Sequence, residues 1–136
     1  MSRPEALLER QVLATLTRTF GPRALVFKNE VGEGFYGVAR PRIAQALAPF
    51  GLQAQRAALD VLDRHRVHFG LRVGSADLII LVEGGRACSI ELKIEHGTLR
   101  DEQKVWLANM RAIGVIAGVA RTEEEAVTLV REALER

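Results

Sequence analysis

The chain has 136 residues, 48% of them apolar and 26% charged, which is enough for one domain with a sizeable core and ordinary for a globular protein. A net charge of +2 and a pI near 9.1 permit a nucleic-acid partner without requiring one. A single cysteine, Cys88, excludes an intramolecular disulfide and a paired-cysteine metal site, and no apolar run approaches the ~20 residues of a membrane span.

The N-terminus, MSRPEALLERQ, carries acids and arginines where a signal peptide needs an apolar core, so a soluble, cytoplasmic protein is expected. Ser2, Pro4 and Glu5 form a helix start with a capping-box pattern. Leu8, Val12, Leu13, Leu16 and Phe20 follow at helical spacing until Gly21-Pro22 stops the helix. Ala24–Lys28 reads as a short strand. Gly32 to Gly37 is glycine-rich and reads as a loop, in which Phe35 and Tyr36 are either loop anchors or base-stacking groups.

Residues 41–68 are the least periodic part, with short helices expected around Ile43–Leu47 and Gln53–Leu62. Between residues 40 and 72, Arg40, Arg42, Arg56, Arg64, Arg66 and Arg72 face only Asp60 and Asp63. The mild basicity concentrates there. Arg40, Arg42 and Arg72 are candidate DNA contacts, against the plainer reading of arginines scattered over a surface.

Asp77–Val82 and Arg86–Ile94 are the firmest strands, joined through Glu83-Gly84-Gly85. Thr98 is expected to cap the next helix, with Leu99, Trp106, Met110 and Ile113 as its apolar stripe and Gly114 as its stop. Val115–Ala120 is another buried strand. Thr122 caps a last helix whose apolar face is Ala126, Val127, Val130 and Leu134. A hairpin followed by a strand–helix–strand crossover gives an α/β fold, a mixed sheet with helices on both faces. The whole chain, 1–136, is expected to be one domain with a basic insert at about 34–72 before the hairpin.

Three charges are oddly placed in the hairpin. Asp77 opens one apolar run, and Glu91 and Lys93 interrupt the other. Charges are costly to bury unless paired or metal-bound. Glu91 and Lys93 share a face because side chains alternate. A two-residue turn would pair Asp77 with Leu92. A three-residue loop ending in Gly85 pairs Val82 with Arg86 and sets Asp77 across from Glu91, and Gly85 suits the left-handed position such a loop requires. Two adjacent buried carboxylates call for a cation, or one of their pKa values must rise. On the following helix Gln103 falls on the apolar stripe, and a buried amide needs partners.

Asp77, a hairpin and Glu91-Leu92-Lys93 resemble the active-site signature of the PD-(D/E)xK nucleases. The flanks narrow the resemblance. Lys28-Asn29-Glu30-Val31-Gly32, Phe69-Gly70, Gly74-Ser75-Ala76-Asp77-Leu78, Glu91-Leu92-Lys93 and Asp101-Glu102-Gln103 together are similar to the VRR-NUC family, the virus-type replication-repair nucleases. The resemblance implies a restriction-endonuclease-like core (α-β-β-β-α-β) and metal-dependent hydrolysis of DNA phosphodiesters with Mg²⁺ or Mn²⁺, with branched or junction DNA among the substrates. It implies Asp77, Glu91 and the Leu92 backbone carbonyl as metal ligands, with Glu5, favoured over Glu9, completing the site. Lys93 and Gln103 are implied as catalytic, Lys93 orienting a water or offsetting phosphate charge. Ser75 and His96, beside the two ends of the constellation, are further candidate DNA contacts. A homodimer is expected because one small domain offers little surface for gripping DNA, and a replication or repair partner protein fits the family. Two other readings stand beside this one, a non-catalytic DNA-binding module on a nuclease fold and a small α/β domain that binds a protein.

Overall fold

The computed structural model describes residues 2–35, 38–65 and 67–136, with 32–35, 38–39 and 67–69 described as backbone. In chain order the elements are α1 (Arg3–Phe20), β1 (Ala24–Lys28), β2 (Gly32–Phe35), β3 (Val38–Ala39), α2 (Arg40–Leu47), α3 (Leu52–Leu62), β4 (Val67–Phe69), β5 (Leu78–Val82), β6 (Arg86–Leu92), α4 (Asp101–Ala112), β7 (Ile116–Ala120) and α5 (Glu123–Glu135). None of these helices is long and apolar enough to cross a membrane. The chain divides into two compact units, residues 1–29 with 73–136, and residues 30–72.

The first unit is built on a four-stranded mixed sheet in the order β1-β5-β6-β7. β1 pairs antiparallel with β5, β5 with β6, and β6 runs parallel to β7 through the α4 crossover. Alternation assigns the faces. Leu78, Ile80 and Val82 of β5 and Cys88, Ile90 and Leu92 of β6 point into one core with Val12, Leu16 and Phe20 of α1 and Ala126, Val130 and Ala133 of α5. Gly118 of β7 lies under α5, where an added Cβ would stand 3.0 Å from the Leu129 side chain. The opposite face is covered over β6 and β7 by α4. Toward β1 and β5 it leaves Leu25, Phe27 and Leu81 exposed.

The hairpin takes the three-residue loop. Val82 pairs with Arg86 and Leu78 with Ile90, while Gly84 and Gly85 adopt φ of +90° and +77°. The capping box expected at Ser2 is present, and Thr122 caps α5 by accepting the Glu125 N–H. Helix α4 differs from expectation. Its N-cap is Arg100, and its buried residues are Gln103 and Leu107, with Trp106 and Met110 half-buried and Ile113 exposed. Thr98 lies two residues before that N-cap, so the helix starts later than expected, and Ile113 falls at its C-cap.

The second unit holds an antiparallel sheet in the order β3-β2-β4 together with α2 and α3. The glycine-rich stretch expected to be a loop is strand β2, with Gly32 paired to Phe69 and Gly34 to both Val67 and Ala39. Its strand character comes from backbone pairing with distant partners, which glycines satisfy without leaving any side-chain alternation to read. Tyr36 and Arg66 lie outside the described residues.

Candidate active site

Asp77 stands one residue before β5, and the observed ladder, continued by one step, sets it opposite Glu91 on the face that carries Ser89. Its Oδ2 accepts the Leu92 N–H at 2.8 Å, so the carboxylate closes the end of the hairpin. Two devices fix the segment before it. From the end of β1, Asn29 donates its backbone N–H to Asp77 O at 2.7 Å, and its Nδ2 donates to Ser75 Oγ and Ala76 O, both at 2.8 Å. On the other side Gly74, at φ +86°, comes so close to α4 that an added Cβ would stand 2.6 Å from the Glu102 backbone.

Glu91 is 1% exposed. Its Oε1 receives two donors, Lys93 Nζ at 2.8 Å and Gln103 Nε2 in a short hydrogen bond. The Gln103 amide is used at both ends, because its Oε1 accepts the Arg100 N–H at 3.0 Å. That bond ties the amide to the start of α4, while Trp106 Nε1, one turn further on, donates to Ser89 Oγ at 3.0 Å. Lys93 itself is only 12% exposed, so its ammonium is held against Glu91 with little solvent. Glu91 Oε2, by contrast, is buried with no hydrogen-bond partner among the described residues. A buried carboxylate oxygen without a donor carries a desolvation cost that nothing on the protein offsets.

Electrostatics follow from this burial. Desolvation raises the pKa of Asp77, helped by the negative charges of Glu9 and Glu5 and opposed by the Leu92 N–H and Lys93. Desolvation likewise raises Glu91, opposed by the Lys93 hydrogen bond and helped by Asp77. Both carboxyls therefore hold a proton more tightly folded than unfolded. The folded state takes up protons as pH falls through the raised values, so stability is greatest near the ordinary carboxylate range and declines as pH rises above it. For the metal-free protein we expect Tm to fall between about pH 5 and about pH 8. Added Mg²⁺ should raise Tm more at the upper end, where both carboxyls are ionised. Thermal melts at the two pH values, with EDTA or Mg²⁺, check this, and a Tm that Mg²⁺ leaves unchanged at both would refute it.

The acids of α1 separate differently from expectation. Glu5 is committed to the helix cap, its Oε2 accepting the Ser2 N–H at 2.8 Å, and that bond holds its pKa below the usual value. Glu9, one turn on, is 5% exposed, pairs with Lys28 Nζ at 2.9 Å and acts on Asp77 more strongly than Glu5 does. The signal that distinguishes them is tertiary, namely Lys28 on the α1-facing side of β1.

The other candidate contacts differ in their surroundings. Ser75 is buried, with its hydroxyl engaged by Asn29, and so supports the loop. Arg40 forms a two-pronged bond to Asp63, from Nε to Oδ1 at 2.8 Å and from Nη2 to Oδ2 at 3.0 Å, which commits its guanidinium to the fold. Arg42, Arg72 and His96 are exposed. Cys88 is buried in the core, where desolvation pushes its thiol up to about 12, leaving it an inert small hydrophobe.

Among the described residues no group of three His, Cys, Asp or Glu side chains is arranged to hold a metal ion. The donor set here is two carboxylates, one with a buried oxygen lacking any partner, at the end of a strand whose next carbonyl belongs to Leu92. Such a set suits a hard divalent cation that keeps several waters, and not a zinc site built from His and Cys.

The mixed sheet, its flanking helices and the carboxylates at the hairpin's end define an α/β domain of the nuclease-fold type. Residues 68–124, which include Asp77, Glu91, Lys93 and Gln103, match the family model described as VRR-NUC domain. The resemblance carried by the motifs thus holds over that segment. A solved structure described as "VRR_NUC domain" shares the fold, with a TM-score of 0.53 and 14% identity over 96% of this chain and 97% of its own. No curated protein matches the chain.

Proposed function

We propose that the chain is a metal-dependent DNA endonuclease hydrolysing phosphodiester bonds, with Mg²⁺ or Mn²⁺ as its cofactor and both units serving one nuclease domain. The observation that carries this reading is Glu91, buried beside Asp77 with one oxygen gripped by Lys93 and Gln103 and the other left without a partner. Asp77, Glu91 and the Leu92 carbonyl would hold the cation, and Glu9, in preference to Glu5, would complete the acidic surround. When bound, the cation supplies phosphate polarisation and an acidified water.

The remaining work falls to the chain. Gln103 and Lys93 fix the rotamer of Glu91 through Oε1. Lys93, nearly dehydrated, offsets the negative charge that builds on the phosphate oxygens, where a low local dielectric magnifies its effect. Arg42, Arg72 and His96 are proposed as contacts to the DNA backbone.

The test is cleavage of labelled single-stranded, duplex, flap and four-way-junction DNA with Mg²⁺, Mn²⁺ or EDTA, with Lys93→Ala alongside. Metal-dependent cutting that falls on the order of a hundredfold or more in Lys93→Ala is the expected result. DNA binding without cutting under every condition would favour the non-catalytic module. A homodimer also belongs to this reading. The exposed apolar strip of Leu25, Phe27 and Leu81 supports it, since burying such residues against a second copy removes them from water. Light scattering should give twice the chain mass, and a monomer at working concentration would sink the proposal.

A further inference from the structure

The unit from residue 30 to 72 contains a helical hairpin of which the reading above uses only Arg42. It is clamped at two places. Gln55 Nε2 on α3 donates to Ala44 O on α2 at 2.6 Å, and Arg40, at the start of α2, grips Asp63 just past the end of α3. Leu59 is buried, and Ile43 and Leu47 on α2 and Ala58 and Leu62 on α3 are half-buried. At the closed end the chain turns through a 3₁₀ segment, Ala48–Phe50, and Gly51 at φ +92°. There Phe50 is 74% exposed and Leu52 60% exposed.

Two large apolar side chains are thus carried on a braced tip. Leu52 and Arg56 are four residues apart on α3 and share its outward face. Arg42, Arg56 and Arg64 are exposed. Between residues 40 and 65 the acids are Asp60 and Asp63, and Arg40 already occupies Asp63. The arm is therefore apolar at its point, and along its sides exposed arginines outnumber the acids.

We propose that Phe50 and Leu52 form a wedge that stacks on the base pair laid bare at a discontinuity in duplex DNA, such as a nick, flap or junction, while Arg56 and the arginines further down the arm hold the flanking phosphates. The proposal rests on the reading that the chain acts on DNA. The size of the tip selects the partner. A stable protein interface needs about 800 Å² per side, far more than two side chains supply, whereas one aromatic and one aliphatic side chain cover roughly the face of a base pair. Insertion into intact duplex carries an unstacking cost that a discontinuity has already met. The positive flanks match phosphate and would repel a basic surface.

The experiment measures affinity of the full chain for intact, nicked and flapped duplex in EDTA, by fluorescence anisotropy, for wild type, Phe50→Ala, Leu52→Ala and Phe50→Trp. Phe50→Ala should weaken binding to nicked and flapped DNA about tenfold or more, change intact duplex about twofold or less, and leave Tm unchanged because the side chain is exposed. Phe50→Trp should restore the preference. A 2-aminopurine beside the nick should change its emission with wild type and not with Phe50→Ala. Equal affinities across the three DNAs, equal losses on all of them, or a changed oligomeric mass in Phe50→Ala would each overturn the wedge. Cleavage by wild type in Mg²⁺ is followed in parallel. Cutting with no dependence on Phe50 removes the wedge alone. Absence of both cutting and DNA binding removes the nuclease reading and the wedge with it. Nick-selective binding through Phe50 without cutting keeps the wedge and removes the nuclease.

Discussion

Asp77→Asn should lower cleavage by on the order of a thousandfold or more while leaving the metal-free protein as stable as wild type or more so. The two effects have one cause. Asp77 is half-buried, and burial raises its pKa above the ordinary value against the opposing Leu92 N–H and Lys93, with a smaller push upward from the charges of Glu9 and Glu5. An asparagine oxygen can still accept the Leu92 N–H that Oδ2 accepts now, so the end of the hairpin stays closed. What is lost is the negative charge, which weakens the fold and is needed to hold a cation. Melts with and without Mg²⁺ separate the contributions. Wild type should gain Tm on adding metal, and Asp77→Asn should begin at an equal or higher Tm and gain little. A variant that melts well below wild type in EDTA would show Asp77 to be mainly a hairpin brace.

Gly74→Ala should be strongly damaging while leaving every candidate catalytic side chain intact. At φ +86° an alanine is strained by about 1–3 kcal/mol. Its Cβ would also meet the Glu102 backbone at 2.6 Å, where no flexible side chain can move aside. Overpacking of that kind adds about 1–3 kcal/mol. The sum corresponds to a Tm loss on the order of ten degrees for a chain of this size. Relief would push the 74–77 segment away from the first turn of α4, which carries Gln103, and so part Asp77 from the Glu91–Gln103 pair. We therefore expect both a low Tm and, at temperatures where the variant is folded, a weaker metal-induced shift. A Tm within about two degrees of wild type would refute the close approach.

The hairpin and its charges were legible because their signals are local. The position of Gly85 selects the three-residue loop, and strand alternation then sets Asp77 opposite Glu91 and puts Lys93 on the same face. Gln103 was legible as an amide on an apolar stripe that a site beside Glu91 and Lys93 would satisfy, and its Nε2 does donate to Glu91. The choice between Glu5 and Glu9 was illegible. They sit one turn apart on α1, and only Lys28, reaching from β1 to Glu9, tells them apart. The start of α4 was misread because Thr98 and Asp101 mimic a capping box, whereas the amide of Gln103 closes on Arg100. Strand β2 was illegible because its pairing partners, β3 and β4, are recognised by backbone and not by side-chain pattern.

The Asn29 bonds that steady Asp77 also mark a seam in the chain. Asn29 and Ser75 are joined by a 2.8 Å hydrogen bond, yet the polypeptide leaves at one and returns near the other after an excursion of about forty residues. The excursion is thus grafted on a stem whose mouth the sheet-bearing unit already holds shut. Closure entropy grows only with the logarithm of loop length, so exchanging the graft for a turn of a few residues alters that cost by only about 1–2 kcal/mol. The length and content of the segment between Asn29 and Ser75 can therefore change while the Asn29 bonds that position Asp77 keep their geometry.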